Sequence, residues 1–165
     1  MVLKDLAAEE AGVKDNDHFF VQWHGMAETS CLASDVFLST GVQNCSIYDT
    51  DIPVRRLLTS FNRLTAGQGM KASTPREDVD CRLTAGTNVF GRYLNGVPQE
   101  KVCKTVADEK DVTGKFAHVE QKRASRENIS LWTAVIEDAF PVSQVSPQLS
   151  TIFLVMVLSI TAFYA

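Results

Sequence analysis

The chain has 165 residues, with 16 Lys+Arg against 20 Asp+Glu and a formal net charge of -4. That length suits one domain, and the near-average composition excludes disordered, collagen-like and long coiled-coil chains. The acidic balance argues against nucleic acid as a partner, since phosphate neutralisation needs a basic surface. Four Cys are too few for a disulfide-dense mini-scaffold. No motif names a reaction.

Residues 1–51 carry two basic and nine acidic side chains, a local charge of -7, whereas residues 52–148 carry fourteen and eleven, a charge of +3. The asymmetry marks two faces of one domain, or an acidic surface that meets a basic partner. In chain order, residues 2–11 suit a short helix with Leu3, Leu6 and Ala7 on one side and Gly12 beyond. Residues 18–24 (HFFVQWH) are the best strand candidate, with Phe19, Val21 and Trp23 on one face and Phe20 and Gln22 on the other. Residues 31–38 and 44–48 are expected to be extended, separated by Gly41.

The clearest helix is residues 53–66, with Asp51 as the expected N-cap and Pro53 in the first turn. Val54, Leu57, Leu58, Phe61 and Leu64 form its stripe, Arg55, Arg56 and Arg63 point away, and Gly67 is the stop. Residues 68–80 (QGMKASTPREDVD) are expected to be a polar loop with nothing for a core. Two further short helices are expected: residues 87–95, closed by Gly96, and residues 98–110, with Val102, Cys103 and Val106 inward. Residues 115–128 fit a charged helix with Phe116, Val119 and Arg123 on one stripe. In residues 129–140, Trp132, Val135, Ile136 and Phe140 fit helix and strand equally. RLTAG occurs at residues 63–67 and 82–86, but the flanks differ and no repeat architecture has that offset.

The last stretch, residues 149–165 (LSTIFLVMVLSITAFYA), has 17 residues and no charge, Pro or Gly. As a helix it spans about 25 Å, against a hydrocarbon core of about 30 Å. Leu149, Ile152, Phe153, Leu154, Val155, Met156, Val157, Leu158, Ile160, Phe163 and Tyr164 would supply the lipid-facing surface. Ser150, Thr151, Ser159 and Thr161 can bond back to helix carbonyls. Three readings compete: a buried core helix, a glycolipid-attachment signal, and a retained single-pass helix. The first lacks a polar edge. The second is weakened by Val145 and Pro147, which follow the small Ser143 and Ser146. The third is the expectation, with residues 141–148 as its Pro/Ser linker. Residues 1–17 show neither a secretory nor an organellar import pattern, which suggests a tail-anchored or already processed chain.

Cys31, Cys45, Cys81 and Cys103 contain no CxxC pair, so zinc-ribbon and thioredoxin-type sites lack support. They are either buried small hydrophobes or up to two disulfides in an oxidising compartment. Asn44 and Asn128 each begin an Asn-x-Ser triplet, an acceptor for sugar only in the secretory lumen. His18 and His24 share one strand face about 20 Å apart, too far for a common metal ion. His118 stands alone in its segment, and the acidic clusters lack the glycine of a calcium loop. No metal site, no catalytic residue and no cofactor are expected, although lipid or pigment contact leaves no pattern to detect.

These features predict an α+β domain over residues 1–148, acidic to residue 51 and mildly basic beyond, followed by a membrane anchor at 149–165. The expected function is a non-catalytic accessory or assembly subunit of a larger membrane complex, in contact with membrane lipid and other subunits. An energy-converting organelle membrane is its expected setting on base rate alone. The runner-up is an extracellular, glycolipid-anchored binding or adhesion protein with two disulfides. A third reading is an enzyme built on a Cys/His pair such as Cys31 with His24.

Overall fold

The computed structural model describes residues 18–43 and 46–141. They form a small mixed α/β domain on a four-stranded sheet of order β1-β4-β2-β3. The strands are β1 (Phe20–Gly25), β2 (Val36–Ser39), β3 (Ala72–Ser73) and β4 (Phe116–Gln121). The helices are α1 (Pro53–Leu64), α2 (Val89–Leu94), α3 (Arg123–Arg126) and α4 (Ile129–Ala139). β4 runs parallel to β1 and antiparallel to β2, and β2 runs parallel to β3.

Strand alternation divides the side chains between two faces. Val21 and Trp23 of β1, Val36 and Leu38 of β2, and Ala117 and Val119 of β4 meet α1 and α4 in the main core. α1 contributes Val54, Leu57, Leu58 and Phe61, as its stripe predicts. Trp132 of α4 lies edge-on to Trp23 at 4.6 Å between centroids and tilted against Phe61 at 5.4 Å. Its indole N–H donates to the Ser125 carbonyl at 3.0 Å, so this large side chain is buried without an orphaned donor. The segment 129–140 is therefore a helix, with Asn128 accepting from the Leu131 N–H at its start.

The opposite face is covered by α2 and the loop before it. Phe90 packs edge-on against Phe20 and Phe116. Gly91 allows this approach, because a Cβ there would sit 2.5 Å from the Phe116 ring. A smaller cluster of Met26, Phe37 and Cys81 continues this layer.

Several local expectations are corrected. Residues 115–128 are not one helix: Phe116–Gln121 is a central strand and only Arg123–Arg126 is helical. A strand buried on both faces loses the polar alternation that would distinguish it from a helical stripe. Residues 98–110 form no continuous helix: Gln99–Lys101 and, at the far end, Glu109–Asp111 make separate 3-10 turns, Cys103 is exposed, and Val106 is 65% exposed. The Val102 carbonyl is taken by the buried Arg92 guanidinium at 2.9 Å instead. Asp51 does not cap α1. Ile52 holds that position in extended backbone, and Asp51 pairs with Arg56 through two bonds of 2.7 and 2.6 Å. Ser46–Asp49 is a 3-10 turn, not extended.

The polar stretch 68–80 does enter the core: Ala72, Ser73, Thr74 and Asp78 are buried. Its strand is only two residues long, but Asn62 of α1 acts as a second partner. The Asn62 amide donates to the Ala72 carbonyl at 3.0 Å and accepts the Ala72 N–H at 2.8 Å. The two RLTAG segments share no structure, since the first ends α1 and the second lies in the loop before α2. Among the described residues, no helix is long and apolar enough to cross a membrane. Residues 1–17 and 142–165, and with them the expected first helix and the proposed anchor, lie outside the described residues.

The contact at Gly91 gives a direct test of the α2 face. Gly91→Ala is expected to destabilise the domain by about 1–3 kcal/mol through overpacking against Phe116. Urea denaturation measures this, and a change within about 0.5 kcal/mol of the parent would contradict the packing.

Candidate functional site

The β1–β4 register sets His24 opposite Glu120 and Gln22 opposite His118, all on the face away from α1 and α4. His24 and His118 therefore meet diagonally, with ring centroids 4.6 Å apart and planes inclined by 36°. His118 Nε2 lies 3.6 Å from Glu120 Oε1. One ligand atom from each of His24, His118 and Glu120 can be chosen so that all three lie within 4.8 Å of one another.

The cluster is largely buried, with His24 partly exposed. The His118 side chain is 7% exposed and that of Glu120 13%. Beside them the Gln22 side-chain oxygen Oε1 accepts from the Asn88 side-chain amide at 2.7 Å, and the Ser39 hydroxyl donates to the Thr84 carbonyl at 2.9 Å. His118 is hydrogen-bonded to the Leu83 backbone. His24 Nε2 and His118 Nδ1 are buried without any hydrogen-bond partner. Such orphans are rare and costly, so the cluster needs an explanation beyond packing.

Burial, followed by the neighbouring His24, pushes the His118 pKa down to about 3. Burial also lowers the pKa of His24 and raises that of Glu120 to about 7. Both imidazoles are thus neutral at pH 7 and keep a lone pair each. The 3.6 Å contact between His118 and Glu120 is accordingly no ion pair, because the imidazole is uncharged. Two neutral nitrogen donors and a carboxyl at one point can transfer protons or hold a cation.

Other sequence candidates are dispersed. Cys31 and Cys81 are joined in a disulfide, while Cys103 is an exposed free thiol. In the bridged form Cys31 offers no thiol to pair with His24. Asn44 and Cys45 lie outside the described residues. Asn128 caps α4, with Oδ1 accepting from Leu131 N–H and from the Ser130 hydroxyl. His18 lies at the other end of β1, in an open cleft of about 640 Å³ lined also by Phe19, Arg56, Lys115 and Phe140.

The cluster at His24 escapes sequence reasoning for a definite reason. The alternation in HFFVQWH reveals which face His24 occupies, but only the parallel pairing brings His118 and Glu120 to it. Comparison with protein-family models, with curated proteins and with solved structures finds no match.

The two titrations oppose each other. The unfolded chain takes up a proton at His118 near 6.5 and the folded chain only near 3, so this group removes stability as pH falls through that window. Glu120 is protonated below about 7 when folded but only below 4.5 when unfolded, so it adds stability as pH falls from 7 to 4.5. Glu120→Gln removes the second effect. Its urea midpoint should drop more steeply than the parent's between pH 6.5 and 4.5. Parallel profiles would contradict the burial of Glu120.

Proposed function

We propose that the chain is a membrane-held, non-catalytic binding domain that works in an oxidising compartment. The Cys31–Cys81 disulfide is the observation that carries this. It joins the turn after β1 to the loop after β3 across a sequence separation of 50. A bridge of this kind persists outside reducing cytosol, and is worth about 2–4 kcal/mol where it forms. It favours the extracellular or lumenal setting over an assembly subunit in a reducing compartment, which would need no bridge.

The uncharged residues 149–165 supply the attachment, as a retained single-pass helix or as a signal exchanged for a glycolipid. The helix is the favoured form, because Val145 and Pro147 fit poorly beside the small residues that a cleavage signal needs. Leu32, 81% exposed, and Val79, 58% exposed, each lie within two residues of a bridged Cys. They offer apolar side chains on a covalently stiffened surface, suited to a protein partner at the membrane. Attachment raises the local concentration, so modest affinity suffices.

The test is thiol trapping of the native protein in intact cells, followed by membrane fractionation. Cys31 and Cys81 should remain linked and escape alkylation until reductant is added, while Cys103 reacts at once. The protein should stay with the membrane through high salt and leave it in detergent. Release by a glycolipid-cleaving phospholipase would assign the lipid anchor, and retention the helix. Free Cys31 and Cys81 thiols together with a soluble protein would refute the proposal.

A further inference from the structure

We propose that His24, His118 and Glu120 form a binding site for a single zinc-class divalent metal ion between β1 and β4. Three residues of ligating type converge there, with one ligand atom from each within 4.8 Å of the others. The second observation is independent of that convergence. His118 is more than nine-tenths buried, yet its Nδ1 has no partner, and His24 Nε2 is orphaned in the same way. A metal ion accepts these lone pairs together, where no described donor does.

Backbone hydrogen bonding to Leu83 engages the other side of the His118 ring. That is the usual arrangement for a ligating imidazole, since the outer bond fixes tautomer and ring orientation. Metal–ligand bonds of about 2.0–2.2 Å place tetrahedral ligand atoms about 3.3 Å apart. The three atoms must therefore draw in by at most roughly 1.5 Å, a movement of the size that side-chain rotation on a fixed sheet allows. Two imidazoles and one carboxylate suit zinc, whereas calcium and magnesium select all-oxygen sets. Three protein ligands leave a fourth position for water. The site stands on side-chain geometry alone and is independent of the compartment and the anchor.

The experiment uses the full chain in mild detergent, without a histidine tag, stripped with chelator and dialysed. Zinc is titrated against a chromogenic competitor, and cobalt is added separately to read tetrahedral visible absorption. The expected result is one zinc per chain, a raised melting temperature, and no such effect with calcium or magnesium. His24→Gln and Glu120→Gln, at the two more accessible ligands, should each weaken zinc affinity at least tenfold. Their circular dichroism and Cys31–Cys81 linkage should match the parent, which separates lost ligation from failure to fold. No stoichiometric zinc binding by the folded parent would overturn the proposal, as would unchanged affinity in both folded variants, or preference for calcium or magnesium.

Discussion

The parallel pairing of β1 with β4 is the constraint on which the rest of the domain depends. It joins segments almost a hundred residues apart, so its closure entropy is met only once the surrounding contacts form. The register Phe20↔Phe116 through Gly25↔Gln121 then places β4 between β1 and β2. With β4 central, Ala117 and Val119 reach the helices while Phe116, His118 and Glu120 face the other layer. A slip of one residue would exchange the two sets and bury His118 and Glu120 in the aromatic core.

The two layers are built from different chemistry. Against α1 and α4 the layer is apolar, and the polar atoms of its large side chains are paired: the Trp132 indole N–H donates to the Ser125 carbonyl and the Tyr48 hydroxyl to the Val42 carbonyl. On the other face the layer is mixed. Phe90 and Gly91 close over Phe116, the disulfide and Phe37 form a second apolar island, and the His24 cluster lies on the same face. The outer loops are tied by single polar side chains: Asn62 clasps β3, and the fully buried Asn95 joins Thr40 to Thr113. Such bonds stabilise irregular backbone that short elements leave unpaired.

Local pattern made some of this legible. The α1 stripe, the alternation of Phe19, Val21 and Trp23, and the short helix before Gly96 follow from periodicity and stop residues, and the structure shows all three. What escaped was non-local. β4 reads as a helix because Phe116 and Val119 also fit a helical stripe, and its burial on both faces depends on β1 and β2. β3 has two residues and no hydrophobic run, so Asn62 and β2 define it more than its own sequence does. The candidate site was invisible for the same reason: His24 and Glu120 become neighbours only through register. The Cys31–Cys81 pairing was one of several connectivities that spacing alone left open.

The most direct measurement is the register of β1 on β4 in solution, from interstrand amide and Hα nuclear Overhauser contacts in isotope-labelled protein. The expected result is a parallel pattern centred on Gln22↔His118 and Trp23↔Val119. An antiparallel pattern, or a parallel one displaced by a single residue, would remove His24 from His118 and Glu120 and contradict it.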